Sequence, residues 1–197
     1  MSKLGLVALQ GAFREHREVF DALGAATVEV RTPEQLAGLD ALVLPGGEST
    51  TMAKLLDSSG LRDPVARLLA DGLPVLGTCA GLILLATDVL DGRADQWSFG
   101  AVDLSVRRNA YGTQLASFEA PLVIDGLPGP AGSPAPFPGV FIRAPAVERV
   151  GEGVDVLASH EGHPVLCRSR NVWVSTFHPE LSGDLRLHQR FLQESSS

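Results

Sequence analysis

The sequence predicts an α/β protein of three layers, with helices on both faces of a central sheet that is mixed but mainly parallel. Apolar runs alternate with helical patterns through the first half of the chain, which is the order that a parallel sheet covered by helices requires. Strand-like runs separated by turns fill the second half, where hairpins would add antiparallel strands. The 197 residues suit a single domain, residues 1–197, because one core usually serves up to roughly 250 residues.

The first half contains four predicted strands and three predicted helices. The strands are residues 4–9, 26–30, 41–44 and 73–76, and the helices are residues 13–23, 64–69 and 80–86. In the first helix Phe13, Phe20 and Leu23 recur at helical spacing, and Gly24 follows as a residue that commonly ends helices. This alternation is the main evidence for parallel strands.

The second half is predicted to be richer in strands. The expected strands are residues 102–106, 115–124, 140–142, 154–158 and 172–177, and residues 184–193 are expected to form a closing helix. Residues 126–139, GLPGPAGSPAPFPG, are rich in proline and glycine, which predicts an irregular surface excursion. No internal repeat interrupts this order.

Composition and charge exclude several classes of function. The formal net charge of −7 argues against nucleic acid as a partner, because phosphates attract Lys and Arg. The N-terminal sequence MSKLGLVALQGAF lacks signal-peptide architecture, and the longest apolar runs are far shorter than the ~20 residues of a membrane span. These features predict a cytoplasmic protein that does not bind membranes, with its two cysteines, Cys79 and Cys167, reduced.

The strongest local signal is Gly77-Thr78-Cys79-Ala80-Gly81, which has the pattern of a nucleophile elbow. In such an elbow a nucleophile flanked by glycines lies on a sharp turn between a strand and a helix, both of which are predicted here. A sharp strand-to-helix turn crowds the backbone, and glycines avoid clashes beside the nucleophile. The turn presents the Cys79 thiol at the carboxyl edge of the sheet, where the helix N terminus favours a thiolate. The backbone N–H of Ala80 can then bind an oxyanion. Most free cysteines are small buried hydrophobic residues, but this context favours a nucleophile.

A candidate base follows the last predicted strand, in the sequence Phe177-His178-Pro179-Glu180. A nucleophilic thiol needs a base within hydrogen-bond reach, and that base needs an acceptor that orients it. His178 can supply the imidazole, and Glu180 can reach its far ring nitrogen. The motif is weak alone, since a solvated loop histidine is the common case, and it gains specificity from the elbow at Cys79.

A third signal is the glycine-rich loop LPGGES, residues 44–49, directly after a predicted strand. Paired glycines let backbone N–H groups face a substrate. A phosphate-binding loop is disfavoured because the G-x-x-x-x-G-K-[ST] pattern is absent. An ordinary loop in which Ser49 caps a helix fits equally well.

Metal binding is not predicted. The five histidines do not form ligand-spaced clusters with the cysteines; they are His16, His160, His163, His178 and His188. Cys167 lies in a strand-like pattern and is predicted to be structural.

Taken together, these residues resemble the class I, triad-type glutamine amidotransferases, and more closely the glutaminase subunits of pyridoxal 5′-phosphate synthases. The resemblance spans nearly the whole chain in order. It is carried by ALQGA (8–12), EH (15–16), LPGGESTTM (44–52), GTCAGLILLA (77–86), RNAYG (108–112), FE (118–119), FIRAP (141–145) and FHPEL (177–181). LPGGESTTM and FIRAP are specific to this subunit, whereas the elbow and His-Pro-Glu are shared by the wider class.

The resemblance implies a flavodoxin-like fold and a role for each matching residue. Cys79 would attack the side-chain amide of glutamine, His178 would transfer protons, and Glu180 would orient His178. Backbone N–H groups of Gly47 and Ala80 would stabilise the oxyanion. Glutamine would be held by Gly47, Glu48, Ser49, Arg108, Ile142 and Arg143. An arginine suits the α-carboxylate of the substrate, although a solvated strand residue remains an alternative for Arg143. No cofactor is implied.

The resemblance also implies a partner. Ammonia would pass to a synthase subunit in a large hetero-oligomer, to be incorporated into pyridoxal 5′-phosphate, and the glutaminase would be quiet until docked. Gln10 follows the first strand, and we expect the Gln10-Gly11 turn to complete the site when the partner binds. One departure is Thr113, where the family usually has arginine; the loss of that charge leaves the predicted triad untouched.

Three rival functions share parts of this pattern. A glutaminase subunit of another synthase, such as the imidazole glycerol phosphate system of histidine biosynthesis, would use the same chemistry, but LPGGESTTM and FIRAP favour the vitamin B6 assignment. A cysteine hydrolase or stress protein on the same sheet would need no His-Pro-Glu after its last strand. A non-catalytic binding subunit would be indicated by loss of Cys79, His178 or Glu180, and all three are present.

Overall fold

The computed structural model describes residues 2–93, 96–108, 117–129 and 135–195. Its helices are α1 (Phe13–Ala22), α2 (Ser49–Ser58), α3 (Arg62–Ala70), α4 (Ala80–Leu85) and α5 (Arg186–Ser195). Its strands are β1 (Lys3–Val7), β2 (Ala26–Val30), β3 (Ala41–Leu44), β4 (Val75–Thr78), β5 (Ala86–Val89), β6 (Val102–Arg107), β7 (Ser117–Leu122), β8 (Phe137–Ile142), β9 (Ala146–Val150), β10 (Asp155–His160), β11 (His163–Ser169) and β12 (Val172–Ser175). Residues 109–116, which include Thr113, and residues 130–134 of the proline-rich segment lie outside the described residues.

The central sheet has the strand order β10-β11-β12-β4-β3-β1-β2 within the described residues. The pairs from β2 through to β12 are parallel, whereas β11 and β10 continue the sheet in antiparallel fashion. This confirms the predicted mixed, mainly parallel sheet. Two small sheets, β5-β6-β9 and β7-β8, accompany it.

Helices cover both faces of the central sheet, because its strands are apolar on both sides. Along β3, Leu42 and Leu44 pack into one core with helices α2, α3 and α4. Ala41 and Val43 point the other way, into a core shared with α1 and α5. Buried strands with two apolar faces are typical of parallel sheets, and the result is the predicted three-layer arrangement.

Several elements differ from the sequence-based prediction. Helix α2 was predicted only as an alternative, with Ser49 as its cap, because Thr50 and Thr51 are weak helix formers; the Glu48 carboxylate compensates by capping both of their N–H groups. The cap is therefore Glu48 and not Ser49. The predicted helix 80–86 ends one residue early, since Ala86 has an extended backbone and begins β5.

The antiparallel strands were predicted incompletely. The sequence indicated β10 and a strand-like pattern at Cys167, but not the full extent of β11 or the presence of β9. Two residues with positive φ, Glu161 at 48° and Gly162 at 82°, close the β10-β11 hairpin, as in tight turns of type I′. The last residues of the predicted excursion, Phe137 to Gly139, belong to β8.

The topology brings four chain segments to one edge of the sheet. Strands β1, β3, β4 and β12 are parallel and adjacent, so their carboxyl ends lie side by side. Ligands of open α/β sheets bind at such an edge. No helix among the described residues has the length and apolarity needed to cross a membrane.

Candidate active site

Cys79 occupies a strained turn between β4 and α4. Its φ of 49° is unusual for a residue with a side chain, and its N–H donates to the Ser175 carbonyl at 2.8 Å. A Cβ on Gly81 would overlap the Leu44 carbonyl, so only glycine allows α4 to pack this closely on β3. The predicted elbow geometry is therefore present, with Cys79 94% shielded yet lining a cleft.

His178 follows β12 and faces Cys79. The backbone N–H of His178 donates to the Val140 carbonyl at 2.8 Å, which fixes this part of the backbone beside β8. Its Nδ1 lies 2.7 Å from Glu180 Oε1. Burial lowers the pKa of His178, but hydrogen bonds and charge interactions with Cys79 and Glu180 outweigh burial and raise the pKa to about 10. The imidazole therefore keeps its proton at neutral pH.

Glu180 lies behind His178 and is shielded from solvent. Burial by itself would raise its pKa, but the electrostatic interaction with His16 and the hydrogen bond from His178 hold the pKa below its ordinary value. The carboxylate thus stays ionised, with Oε1 directed at His178. Its second oxygen, Oε2, lies 3.4 Å from His16 Nε2, although that contact lacks the geometry of a hydrogen bond.

The glycine-rich loop after β3 is tied to the turn after β1. The Gly46 carbonyl accepts from the Ala12 N–H at 3.0 Å, and Gln10 Oε1 accepts from the Glu48 N–H at 3.0 Å. A Cβ on Gly46 would overlap the His178 ring, which explains the requirement for glycine at that position. The loop, the turn and the candidate base therefore form one packed unit.

Glu48 and Arg108 meet at the far side of the cleft. The Glu48 carboxylate accepts from the N–H groups of Thr50 and Thr51, and these hydrogen bonds outweigh partial burial and lower its pKa to about 2. Arg108 donates to Glu48 Oε1 at 3.1 Å and to Gln96 Oε1 at 2.6 Å. Because a guanidinium has five N–H donors, Arg108 keeps donors for a ligand.

A cleft of 280 Å³ brings most of the predicted site residues together. It is lined by Gly47, Glu48, Ser49, Cys79, Arg108, Ile142, Arg143 and His178, among others. Ala80 opens α4 beside Cys79, Glu180 lies behind His178, and Gln10 holds the loop. Arg143 is exposed at the end of β8, and its φ of 44° is a strained conformation of the kind found at functional sites.

Sequence reasoning missed several residues around this cleft. His16 and His188 are fully buried, with His16 beside Glu180 and His188 behind His16, and Gln96 links Ser49 to Arg108. A helical-spacing signal was available for the histidines, because each precedes a buried phenylalanine on its helix, by four and three residues. The contact between His16 and His188 could not be predicted from the sequence.

Two further observations concern the titratable groups outside this cleft, within the described residues. Burial raises the pKa of the Cys167 thiol to about 12, so this cysteine is inert at neutral pH. In the part of the chain that the structure describes, no three His, Cys, Asp or Glu side chains are grouped to hold a metal ion.

Comparison with known proteins gives consistent matches over nearly the full chain. A family model described as the SNO glutamine amidotransferase family matches residues 6–197. The pyridoxal 5′-phosphate synthase subunit PdxT of Salinispora arenicola is 49% identical over 193 residues, covering 95% of this chain and 94% of that protein. The subunit of the same name from Streptomyces coelicolor is 50% identical over 188 residues, covering 95% and 91%.

Solved structures agree with these sequence matches. A crystal structure of a glutamine amidotransferase superposes with a TM-score of 0.90 at 46% identity, covering 98% of this chain and 99% of that one. PurLQS from Thermotoga maritima superposes with a TM-score of 0.73 at 15% identity, covering 98% of both chains. The second likeness concerns the fold alone.

Proposed function

The chain belongs to the SNO glutamine amidotransferase family, and we propose that it is a glutaminase that makes ammonia for pyridoxal 5′-phosphate synthesis. The observation that carries the proposal is the alignment of Cys79, His178 and Glu180 at one cleft, with 2.7 Å between His178 Nδ1 and Glu180 Oε1. Nucleophile, base and orienting carboxylate are the three parts that acyl transfer through a thioester needs.

The proposed reaction begins with attack of the Cys79 sulfur on the side-chain amide carbon of L-glutamine. Negative charge develops on the amide oxygen, and the backbone N–H groups of Gly47 and Ala80 stabilise it. His178 passes the proton taken from the thiol to the leaving nitrogen, and ammonia departs. Water then attacks the thioester with His178 as base, releasing glutamate and restoring Cys79. Glu180 keeps the imidazole oriented through both steps.

The substrate is held at the opposite wall of the cleft. The remaining N–H donors of Arg108 suit the α-carboxylate, which is a bidentate acceptor. The loop of Gly47, Glu48 and Ser49 supplies backbone polar groups to the substrate. Ile142 and Arg143 line another side of the cleft. The Glu48 carboxylate itself is engaged as the cap of α2, which supports a backbone rather than a side-chain role for that residue.

The ammonia is delivered to a synthase subunit that builds pyridoxal 5′-phosphate. The two PdxT relatives at 49% and 50% identity support this acceptor over the histidine-biosynthesis synthase that shares the glutaminase chemistry. We place the protein in the cytoplasm, in a large hetero-oligomer with that synthase, with no nucleic acid or membrane among its partners. Mixing the protein with each candidate synthase separates the two assignments, since only the correct one stimulates glutamate release.

Gln10 is proposed as the residue that couples the site to the partner. Its side chain holds the Glu48 N–H, so movement of the turn after β1 would be transmitted to the loop that carries Gly47. Docking at this edge of the sheet can thereby complete the oxyanion site.

The decisive experiment replaces Cys79 with alanine and measures glutamate release with the synthase present. Loss of turnover with complex assembly intact is expected, because the nucleophile is removed while the surface is unchanged. Turnover at the wild-type rate in the Cys79→Ala protein would overturn the nucleophile assignment. Cys167→Ala is the matched control, since that thiol is buried away from the cleft and its removal should leave turnover unchanged.

A further inference from the structure

Two histidines form a buried row behind the proposed triad. His16 of α1 and His188 of α5 are both fully buried, although 172 residues separate them in the chain. His16 Nδ1 lies 3.0 Å from His188 Nε2. His16 Nε2 makes a hydrogen bond with Thr78 Oγ1 at 3.2 Å, and it also lies 3.4 Å from Glu180 Oε2 without hydrogen-bond geometry. The row therefore starts at the carboxylate that orients His178 and ends in the helix layer.

The Glu180 carboxylate determines which ring nitrogens of His16 and His188 carry protons. Burial lowers the pKa of His16 against the opposing charge of Glu180, so its ring is neutral at pH 7. A lone pair on Nε2 would face the ionised Oε2 and repel it, so Nε2 carries the proton. His16 Nδ1 is then an acceptor, and His188 Nε2 must be the donor. His188 Nδ1 is left as a bare lone pair, with no hydrogen-bond partner among the described residues.

A histidine buried among apolar residues is often only a satisfied core residue. Phe20 packs against both rings, at 6.5 Å from His16 and 5.1 Å from His188 between ring centroids, as such a role requires. The position of His16 Nε2 indicates more than a packing role. It lies beside Glu180 Oε2, which is fully buried and makes no hydrogen bond with any described residue. A buried carboxylate oxygen is costly unless a donor faces it, and His16 is the donor that approaches it.

We propose that His16 is a positioning residue of the glutaminase, whose Nε2–H holds the second oxygen of Glu180 while His188 fixes the tautomer of His16. The row then runs His188, His16, Glu180, His178, Cys79, in which the His188 Nε2–H, the His16 Nε2–H and the His178 Nδ1–H are directed toward the carboxylate and the other ring N–H of His178 faces Cys79. Hydrogen bonds around active sites often tighten only when substrate or partner is bound, and the 3.4 Å contact is the one that would shorten. This inference rests on the proposed glutaminase function.

The pH dependence of activity follows from the groups that face Glu180. These are His178 from its own segment, His16 from α1, and His188 behind His16; Glu15 acts on His16 from the same helix. Removing the His16 donor removes an interaction that lowers the pKa of Glu180, so that pKa rises. Glu180 then becomes protonated at higher pH, and the acid limb of the activity profile moves upward.

The test measures glutamate release by the complex with the synthase, as a function of pH. For His16→Leu we expect kcat to fall about 10- to 100-fold, the effect of losing a hydrogen bond to a charged group. KM should change little, because His16 does not line the cleft. The acid limb should move to higher pH. His16→Gln keeps an N–H donor within reach of Oε2 and should restore most of kcat and the position of the acid limb.

Phe20→Leu is the matched control for packing. It loosens the same buried cluster without removing a donor, so it should lower the melting temperature and leave the acid limb in place. The proposal is overturned if His16→Leu keeps the wild-type kcat and acid limb, or if His16→Leu and Phe20→Leu behave alike.

A second measurement distinguishes failure of this inference from failure of the proposed function. Alkylation of Cys79 by iodoacetamide requires no turnover, and its acid limb should move upward in His16→Leu but not in His16→Gln. If the wild-type complex releases no glutamate, the proposed function is wrong, and the alkylation profile still decides the role of His16. If the wild type is active and neither profile moves, only the positioning role is wrong.

Discussion

His178 receives opposite influences from its surroundings. Burial disfavours its charged form, whereas Cys79 on one side and Glu180 on the other favour it, and together they raise its pKa to about 10. In the proposed mechanism the same imidazole must hold a proton for the leaving ammonia and yet accept the proton of the thiol. A protonated imidazole beside a thiol stabilises the thiolate, which is the attacking form. The proposed chemistry thus depends on these three side chains as a unit.

The expected consequence concerns alkylation of Cys79. In wild type, the iodoacetamide rate should change little between pH 7 and pH 9, because His178 stays protonated below its pKa of about 10. In His178→Ala the rate at pH 7 should fall at least tenfold, since only a few per cent of an ordinary thiol is ionised there. Mass spectrometry of the modified peptide gives the rate.

The buried Cys167 should stay unlabelled in both proteins and serves as an internal control. Equal rates for wild type and His178→Ala at pH 7 would show that the imidazole does not activate the thiol.

Among the elements, the loop after β3 and the turn after β1 are linked by two hydrogen bonds. One joins the Ala12 N–H to the Gly46 carbonyl, and the other joins the Glu48 N–H to Gln10 Oε1. Gly11 has a φ of 90°, and a Cβ there would overlap the Gly46 carbonyl. The close approach of the two segments therefore requires glycine, and it lets a partner that contacts the turn act on the loop.

Replacing Gln10 with alanine should lower partner-stimulated glutamate release about tenfold, the order of one lost hydrogen bond. The measurement is glutamate formation with and without the synthase subunit, at saturating partner. Gln35→Ala is the matched control: Gln35 Oε1 also accepts from backbone N–H groups, of Arg31 and Thr32, but it lies outside the cleft. Full stimulation of Gln10→Ala would refute the coupling role.

Across the whole molecule, α1 and α5 close the same face of the sheet and bury ionisable groups between them. His16 and His188 meet there, in a core that contains Phe20, Leu187 and Phe191. Burial, aided by the electrostatic interaction with His16 and opposed by Glu180, lowers the pKa of His188 to about 3. The folded protein therefore keeps this ring neutral where the unfolded chain, with a pKa near 6.5, would protonate it.

This difference predicts how stability depends on pH. Below pH 6.5 His188 binds a proton in the unfolded state but stays neutral in the folded state. Stability therefore falls as pH falls, until the pKa of folded His188, about 3, is reached. The slope from one such group is up to about 1.4 kcal/mol per pH unit. His188→Leu should make the slope between pH 6 and 4.5 shallower by about that amount, measured by urea unfolding at several pH values.

His163→Leu is the control, because His163 is exposed at the β10-β11 turn and its removal should leave the slope unchanged. An unaltered slope in His188→Leu would contradict the assignment of the acid sensitivity to this ring.

Local signals predicted much of the fold and the centre of the site. The elbow at Cys79, the glycine loop and the motif at His178 each follow a strand, and parallel strands bring their carboxyl ends to one edge. Helix α2 was predicted only as an alternative and strand β9 was missed, because capping by Glu48 and pairing with β6 stabilise segments whose own sequence is weakly patterned. Tertiary contacts can override local propensity in this way.

The sequence by itself predicted the nucleophile, the base, the orienting carboxylate and the class of sheet, because short motifs mark the three residues and the alternation of strands and helices marks the sheet. Only the tertiary structure decided what lies behind Glu180. His16 and His188 belong to the first and last helices, and they meet because both helices pack on one face of the sheet. A contact across 172 residues has no periodicity or spacing that a sequence could display, whereas its chemistry is evident once the rings lie 3.0 Å apart.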